Sequence, residues 1–357
     1  MNIHELDQSK KEEFGARAID ILNKASIAML MSVGHRTGLF EVMAGLSPST
    51  SEQIAVAAGL KERYVREWLG AMVTGRIVDY DSENATYYLP REHAAFLTKA
   101  GLTNNIACFA QFIPLFGGVE DEIVASFRNG GGVAYSSYRR FPEVMRELSG
   151  PTFDILLVDK ILPLAPELTH SLRRGIDVLD VGCGSGHSTN VMAKAFPKSN
   201  FVGYDFIDEQ IATARGEALE WQLSNVRFAV KDVATLDEAA QYDLVTAFDS
   251  IHDQAQPTVL LQRISTALRP AATFVMWDVA VSSHLEKNLD HLLGPFLYAC
   301  SCMHCMTVSL AQNGEGLGAV WGEEKAQAML AAAGLSVIGM HRLPEDPVNG
   351  CYIARKR

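Results

Sequence analysis

Three glycines at every second position, Gly182, Gly184 and Gly186, follow a hydrophobic stretch within residues 177–190. A backbone without Cβ atoms turns tightly and lets a ligand approach closely, so this spacing predicts a nucleotide-like ligand at the end of a buried strand. The dinucleotide fingerprint G-x-G-x-x-G needs its last glycine at position 187, where this chain has His187. The pattern therefore points away from NAD.

Acidic residues follow the next two predicted strands. Asp205 ends the stretch FVGYD, and Asp232 follows VRFAVK. A carboxylate only accepts hydrogen bonds, so each can bind hydroxyl or amino donors of a ligand. Taken singly, each aspartate also suits the N-cap of a helix. Because open α/β sheets bind ligands beyond the carboxyl ends of their strands, the order of these residues favours one shared site.

The segment DVGCGSG at residues 180–186, with Asp205 at the end of the next strand, resembles class I S-adenosylmethionine-dependent methyltransferases over roughly the second half of the chain. The resemblance implies S-adenosylmethionine as cofactor, with Asp205 on its ribose hydroxyls and Asp232 on the adenine amino group. It also implies a seven-stranded sheet with an antiparallel last strand. The cofactor-binding residues that we predict are Asp180, Gly182, Gly184, Gly186, Asp205, Phe206, Asp232, Val233 and Phe248.

The fourth predicted strand, YDLVTAF, ends near His252, the best-placed titratable group for acceptor chemistry. Near neutral pH a histidine accepts a proton from a hydroxyl, amine or thiol while a methyl group moves. We predict His252 as a catalytic base, and a supporting or helix-capping role stays open. Asp253 follows directly, but adjacent residues on a helix do not face each other, so we do not expect a dyad.

Residues 281–321 form an insertion that a minimal methyltransferase sheet does not need, and long insertions at this edge concentrate binding function. Its possible zinc ligands are Cys300, Cys302, Cys305, His291 and His304. The C-x-C-x-x-C spacing on a helix turns the first two cysteines to different faces. We therefore favour packing of small apolar side chains over zinc and predict no metal site.

The strings HCMTVSLAQNGEGLGAVWG and FDSIHDQAQP resemble a subgroup of these methyltransferases that carries an N-terminal winged helix. That resemblance implies that His304, Met306 and Trp321 line the substrate cavity. Three aromatic residues follow the glycines at 130–132: Tyr135, Tyr138 and Phe141. They suit either a wall that closes over a ligand or ordinary packing under a loop. As substrate-binding residues we predict Tyr138, His304 and Trp321.

With 357 residues and 48% hydrophobic residues, the chain is long enough for two domains with their own cores. Residues 1–98 predict an all-α and winged-helix domain, and residues 99–170 predict a helical linker. In residues 171–357 strands and helices alternate, which predicts an α/β, Rossmann-like domain with a parallel sheet covered on both faces. The resemblance implies that the first domain serves dimerisation and as a substrate lid.

The winged-helix pattern is also typical of DNA-binding proteins, and four basic residues lie on or beside the predicted recognition helix. Glu62 and Glu67 interrupt that basic face. Residues 1–98 hold 10 Lys plus Arg against 13 Asp plus Glu, a net charge of −3, and the whole chain carries −11. Since negative charge repels phosphate backbones, we expect no nucleic-acid partner.

These observations predict a methyltransferase that transfers a methyl group from S-adenosylmethionine to an O, N or S atom of a small molecule. The alternative is a winged-helix transcriptional regulator that binds S-adenosylmethionine or a metabolite; another enzyme on the same cofactor fold and a macromolecular methyltransferase stay open. The six cysteines without a disulfide framework and the lack of an 18-residue apolar run predict a cytoplasmic protein without membrane contact. We also expect a homodimer.

Overall fold

The computed structural model describes residues 6–357, so the first five residues of the predicted 1–98 domain lie outside the described residues. The chain divides into two compact units, Met1–Gly117 and Gly118–Arg357. The division falls inside the segment 99–170 that the sequence predicts as a linker. Every helix within residues 6–357 is too short or too polar to span a bilayer. All six cysteines are free thiols.

The first unit is helical with one small hairpin. Its elements are α1 Gln8–Thr37, α2 Leu39–Ala44, α3 Ser51–Ala58, α4 Glu62–Thr74, β1 Asp79–Asp81, β2 Thr86–Tyr88, α5 Arg91–Leu97, α6 Ile106–Phe109 and α7 Phe112–Gly117. β1 and β2 pair antiparallel and form the wing after α4. The order of short helix α3, longer helix α4 and two short strands is that of the winged helix that the sequence predicts.

Local chemistry fixes the ends of these helices. Thr50 is the N-cap of α3, and it forms a capping box with Gln53. Gly59 ends the same helix in the left-handed conformation that a residue without Cβ adopts at low cost. In the core of this unit the indole N–H of Trp68 donates a 2.9 Å hydrogen bond to the carbonyl of Leu30, which ties α4 to α1.

The second unit contains helices on a seven-stranded sheet. Its elements are α8 Glu120–Asn129, α9 Phe141–Thr152, α10 Leu168–Arg174, β3 Asp177–Val181, α11 His187–Ala195, β4 Asn200–Asp205, α12 Asp208–Glu220, β5 Val226–Val230, β6 Tyr242–Phe248, α13 Pro257–Ala267, β7 Leu268–Val279, α14 Gly294–Cys300, α15 Met306–Ala311, α16 Glu323–Ala332, β8 Leu335–Leu343 and β9 Asp346–Lys356. Two π-helical segments, Phe153–Ile161 and Ser301–Cys305, continue α9 and join α14 to α15.

The strand order of the sheet is β5-β4-β3-β6-β7-β9-β8. β3 pairs parallel with both β4 and β6, whereas β9 runs antiparallel between β7 and β8. The predicted seven-stranded sheet with an antiparallel last strand is confirmed. Because connections leave β3 and β6 in opposite directions, a crevice opens beyond their carboxyl ends.

Both faces of β3 are buried. Leu179 and Val181 pack into one hydrophobic cluster, and Val178 packs into the cluster on the other face of the sheet. This follows from the two-residue period of a strand, which sends alternate side chains to opposite faces. The strand is thereby fixed between two layers, and the loop after Val181 is the part that faces the crevice.

Candidate active site

A cavity of about 490 Å³ lies beyond the carboxyl ends of β3, β4 and β6, and we call it the strand-end cavity. Its lining includes seven of the nine predicted cofactor residues: Asp180, Gly182, Gly184, Asp205, Phe206, Asp232 and Phe248. The residues come from four successive βα connections. The sheet topology therefore brings them together.

The glycine loop after β3 presents its backbone to this cavity. Gly182 and Gly184 have φ angles of 66° and 53°, a conformation that residues with side chains rarely adopt. A Cβ on Gly182 would lie 2.6 Å from the Cβ of Ser250, whereas one on Gly184 would meet no atom within 4 Å. Gly182 thus permits close packing with the loop after β6, and Gly184 leaves open space beside the backbone.

Gly186 and Val233, also predicted as cofactor residues, do not line the strand-end cavity. A Cβ on Gly186 would lie 2.4 Å from the Cβ of Ala214 and 2.7 Å from the Phe228 ring. Gly186 therefore lets the start of α11 pack against α12 and β5. Val233 is 4% exposed and belongs to the hydrophobic cluster under the sheet.

Asp205 stands at the end of β4 and links two loops. One carboxylate oxygen accepts a 3.0 Å hydrogen bond from the backbone N–H of Gly184, and the other accepts one of 3.0 Å from Ile207. Burial raises the pKa of Asp205, and these backbone donors oppose that rise. Each oxygen has a second lone pair, so the carboxylate can still accept ligand hydroxyls.

Asp180 precedes the glycine loop and is almost fully buried. Its carboxylate accepts hydrogen bonds from three hydroxyls, those of Ser188 at 3.0 Å, Thr189 at 2.6 Å and Thr246 at 2.9 Å. Burial raises the pKa of Asp180 to about 6 despite these bonds. The network joins β3, β6 and the first turn of α11, which fixes the loop between them.

Asp232 and Phe206 occupy the outer part of the cavity. Asp232 accepts a 2.9 Å hydrogen bond from the N–H of Ala234 and so caps a short 3-10 helix, and it also lines the cavity. Asp232 therefore has both the capping role and the ligand-facing position, which the sequence left as alternatives. The Phe206 side chain is half exposed, with its ring centroid 6.2 Å from that of Tyr135.

A further wall of the cavity was predicted only at Phe141, and its other residues were missed. α9 and the π-helical segment after it line the cavity with Phe141, Pro142, Met145, Arg146, Ser149 and Phe153. The signal was present, because positions 142, 145, 146, 149 and 153 recur at helical spacing and share one face. Val308 and Gln312, from α15 and its C-cap, complete this wall.

The three predicted substrate residues lie behind the cavity wall. The Tyr138 hydroxyl donates a short hydrogen bond to the carbonyl of Met303, and the indole N–H of Trp321 donates one of 3.2 Å to Asp278. His304 is 1% exposed and stacks on Phe141 with a centroid distance of 3.6 Å. Tyr135 and Phe141 line the cavity, so two members of the suggested aromatic wall face it and the third does not.

Neither ring nitrogen of His304 has a hydrogen-bond partner. Burial lowers the pKa of His304 to about 4, so the imidazole is neutral near pH 7. Its edge contacts the ring of Tyr138, with a centroid distance of 4.7 Å. His304 therefore packs as a neutral ring among aromatic side chains.

His252 is buried, and the structure holds it between two carboxylates. Its Nδ1 lies 2.7 Å from Oδ1 of Asp278, and its Nε2 lies 3.2 Å from Oδ1 of Asp253. Burial lowers the pKa of His252, but the two carboxylates outweigh it and the net pKa is well above the usual value. Asp253 lines the cavity and His252 does not.

The expectation that His252 and Asp253 do not meet was wrong. It assumed a helix after β6, whereas residues 251–253 form a bend and a turn. A turn brings adjacent side chains together in a way that a helix does not. Asp253 is thereby the carboxylate that faces the cavity, with the imidazole behind it.

Asp249, the first residue after β6, is a further cavity residue that sequence reasoning missed. Its φ of 50° is unusual for a residue with a side chain, and such backbone strain clusters at functional sites. Burial raises the pKa of Asp249 well above its usual value, and the nearby Asp278 adds to the rise. One carboxylate oxygen accepts a 3.1 Å hydrogen bond from the amide of Asn349.

His187, the residue that breaks the dinucleotide fingerprint, lines the cavity at the start of α11. Its Nδ1 lies 2.8 Å from Glu217 on α12, and its Nε2 lies 3.0 Å from Asp154 in the π-helical segment. Burial lowers the pKa of His187, but the two carboxylates together raise it by more, so the net pKa lies above 6.5. The imidazole thus joins three helical elements.

The chain matches two family models. Residues 25–99 match the Rv2258c-like winged helix-turn-helix domain, and residues 172–334 match a methyltransferase domain. Solved structures agree in fold. An O-methyltransferase of Nostoc punctiforme superimposes with a TM-score of 0.72 at 18% identity, covering 96% of this chain and 98% of that one. Human N-acetylserotonin methyltransferase gives 0.70 at 14% identity, covering 99% of both.

Curated relatives match a shorter region. A malonyl-[acyl-carrier protein] O-methyltransferase of Bacillus cereus is 29% identical over 117 residues, 33% of this chain and 38% of that protein. The (S)-coclaurine N-methyltransferase of Papaver somniferum is 31% identical over 94 residues, 26% of this chain and 27% of that protein. The match thus spans well under half the length of these relatives. A winged helix-turn-helix match that precedes a methyltransferase-domain match is the order that the sequence predicts.

Proposed function

We propose that the chain is an S-adenosylmethionine-dependent methyltransferase that acts on an O, N or S atom of a small molecule. The observation that carries the proposal is the strand-end cavity, where Asp205 keeps free acceptor lone pairs beside an open space at Gly184. Several structural relatives are named as O-methyltransferases, and two of the structural relatives are in complex with S-adenosylmethionine.

The residues present suit this cofactor. We propose that Asp205 accepts its ribose hydroxyls, that Asp232 accepts from its adenine amino group and that Phe206 packs on the adenine ring. We call these residues, with Gly182 and Gly184, the cofactor half of the cavity. When bound, the cofactor supplies an electrophilic methyl group on a sulfonium whose leaving group is a neutral thioether.

We propose that the methyl acceptor lies against the wall that α9, the π-helical segment after it and α15 form. We call its residues the acceptor half of the cavity: Tyr135, Phe141, Met145, Phe153, Asp253 and Val308. Four of these six side chains are apolar, and Arg146, Ser149 and Gln312 line the same wall, so this half suits an acceptor with aromatic or aliphatic surface that also carries a polar group. Its task is to align the acceptor and exclude water, which accounts for much of the rate of such displacements.

His252 enters the proposal as a positioning residue. Since Asp253 lines the cavity and His252 lies behind it, we propose that the histidine acts through that carboxylate. Once an acceptor is known, His252→Ala should lower turnover and leave the affinity for S-adenosylhomocysteine unchanged. Full turnover in the variant would remove His252 from the mechanism.

We propose that two copies of the chain associate through α1. Every residue from Gln8 to Ser26 is exposed, including large apolar side chains such as Phe14 and Leu22, which are 67% and 66% exposed. Large apolar side chains exposed along one helix are typical of a surface that a partner covers. Light scattering should give a dimer mass, and the double variant Phe14→Asp, Leu22→Asp should give a monomer.

The proposal leaves out DNA binding by the winged helix. Two arginines of α4 are engaged on their own helix, Arg63 with Glu67 and Arg66 with Glu62 at 3.2 Å. Such pairing lowers the positive charge that a phosphate backbone would meet. A salt-dependent shift of random duplex DNA would instead favour the regulator alternative. The cytoplasmic location and the three-part division at residues 98 and 170 remain predictions.

The experiment that tests the proposed function has two stages. Calorimetric titration with S-adenosylhomocysteine should give one site per chain, and titration with NADH should give no heat. Methyl-labelled S-adenosylmethionine is then incubated with phenols, thiols and amines of small size, and label in an organic extract identifies the acceptor class. Binding without transfer to any acceptor would support the regulator. No binding would contradict the methyltransferase and leave only a regulator that binds another metabolite.

A further inference from the structure

Three side chains of types that bind metal ions in other proteins meet beside the strand-end cavity, which one of them lines. His252, Asp253 and Cys305 each offer one ligand atom, and these atoms all lie within 4.8 Å of one another. His252 is 4% exposed and Cys305 is 7% exposed. The cluster unites the turn after β6 with the π-helical segment of the insertion, residues that lie more than 50 positions apart in the sequence.

The imidazole of His252 is oriented as metal-bound histidines are. Its Nδ1 is held at 2.7 Å by Asp278, whose carboxylate also accepts hydrogen bonds from the indole of Trp321 at 3.2 Å and the N–H of Val279 at 2.8 Å. A carboxylate on the far nitrogen fixes the ring and leaves the other nitrogen for a metal ion. Here that other nitrogen is Nε2, which faces Asp253.

Asp253 supplies the second donor. Its Oδ1 is buried and has no hydrogen-bond partner, although Nε2 of His252 lies 3.2 Å away. Without a metal ion, the charged ring of His252 is the cation that faces this buried oxygen. When an ion binds, Nε2 gives up its proton, and the oxygen and the nitrogen then both offer lone pairs to the ion.

Cys305 supplies the third donor and decides the class of metal. Thiolate and imidazole ligands select zinc and similar transition metals, whereas magnesium and calcium prefer oxygen alone. In a tetrahedral zinc site with bonds of about 2.0–2.3 Å, ligand atoms lie roughly 3.3–3.8 Å apart. Separations of up to 4.8 Å thus require the side chains to close by about 1 Å.

We propose that His252 Nε2, Asp253 Oδ1 and Cys305 Sγ bind a divalent transition metal ion of the zinc class. Three protein ligands are the set of a catalytic zinc site, in which the fourth position is open. Because Asp253 lines the strand-end cavity, that position is reached from the cavity and takes a water molecule or an oxygen or sulfur atom of a bound acceptor. The site goes beyond the proposed function, and its metal content does not depend on methyl transfer.

The site differs from the one that the cysteine spacing suggested. Of the five candidate ligands in the insertion, only Cys305 takes part. The Cys300 and Cys302 thiols are half-buried and lie outside the cluster, and His291 accepts a 3.2 Å hydrogen bond from the N–H of Leu293. Cys302 is therefore a matched control, three residues from Cys305 in the same π-helical segment.

The test uses the full chain, stripped of metal and titrated with Co²⁺ as a spectroscopic probe. We expect one ion per chain, with visible bands of tetrahedral cobalt and a near-ultraviolet band from the thiolate, all displaced by Zn²⁺. Cys305→Ser should abolish the thiolate band, and Cys302→Ser should retain it. Asp278→Asn, which touches the metal only through His252, should weaken Co²⁺ affinity about 10–100-fold.

Two results would overturn the proposal. One is the absence of any stoichiometric Co²⁺ or Zn²⁺ in the wild-type chain; the other is a thiolate band that survives in Cys305→Ser or vanishes in Cys302→Ser. Thermal unfolding of the metal-free variants separates loss of a ligand from loss of the fold. S-adenosylhomocysteine titration of the metal-free chain keeps the two proposals distinguishable, because it tests the cofactor half alone.

Discussion

The two halves of the strand-end cavity are built in different ways. In the cofactor half, backbone groups and strand-end carboxylates from residues 180–232 line the cavity. Their positions follow from the parallel sheet. In the acceptor half, side chains come from α9, the turn after β6 and α15, which are far apart in sequence. The geometry of a βα loop is therefore set by residues close together in sequence, whereas the positions of wall side chains depend on how distant elements pack.

The largest effect should come from a side chain in the glycine loop. In Gly182→Val the φ of 66° and the 2.6 Å contact with Ser250 both become unfavourable, so we expect at least ~100-fold weaker binding of S-adenosylhomocysteine by calorimetry, about 2.8 kcal/mol. Gly216→Ala is the control, since it lies exposed on α12 with open space and should stabilise the chain by roughly 0.5–1 kcal/mol.

A smaller loss should follow Asp205→Ala. Removing a carboxylate that accepts ligand hydroxyls costs roughly 1.5–3 kcal/mol, which corresponds to about 10–100-fold in the dissociation constant of S-adenosylhomocysteine. Asp208→Ala, an exposed aspartate at the start of α12, serves as the comparison and should bind as the wild type does. Equal affinities for both variants would take Asp205 out of the cofactor half.

The hydroxyl of Tyr138 tests whether this residue only supports the acceptor half or belongs to it. Tyr138→Phe removes the hydrogen bond to the Met303 carbonyl and should lower the free energy of unfolding by about 1 kcal/mol, measured by urea denaturation, while S-adenosylhomocysteine affinity stays unchanged. Tyr135→Phe changes a residue that lines the cavity and should leave stability closer to that of the wild type. If Tyr138→Phe instead weakened binding at unchanged stability, Tyr138 would belong to the site.

The smallest effect should come from His187, whose imidazole connects α11, α12 and the π-helical segment after α9. Because its pKa is raised in the folded state, its contribution to stability is full below the ordinary value of 6.5 and is lost as pH rises through the folded pKa. Urea denaturation of the wild type and His187→Gln should therefore differ most at pH 6 and converge toward pH 9. A difference that grows with pH would show that the neutral ring is the stabilising form.

The cofactor half was largely predictable because its signals are local. A glycine-rich turn after a buried strand and acids at the next strand ends are contiguous in sequence, and the sheet brings them together. Gly186 and Val233 were assigned to the cavity because a spacing pattern does not tell a ligand contact from a packing contact, and here Ala214 and Phe228 occupy the space beside Gly186.

The acceptor half was predicted less well because it depends on orientation. Tyr135 and Tyr138 are three residues apart on either side of a 3-10 turn, and only the packed structure turns the first toward the cavity and the second toward Met303. The contact between His252 and Asp253 was missed because a turn replaces the expected helix. Such choices depend on long-range contacts that a single sequence does not reveal.

The central claim is that the loop after β3 and the carboxylate of Asp205 hold S-adenosylmethionine. Calorimetric titration of the wild-type chain with S-adenosylhomocysteine, alongside Asp205→Ala, tests it most directly. The account predicts one site per chain, at least about tenfold weaker binding in the variant and no heat with NADH. Heat with NADH and none with S-adenosylhomocysteine would contradict it.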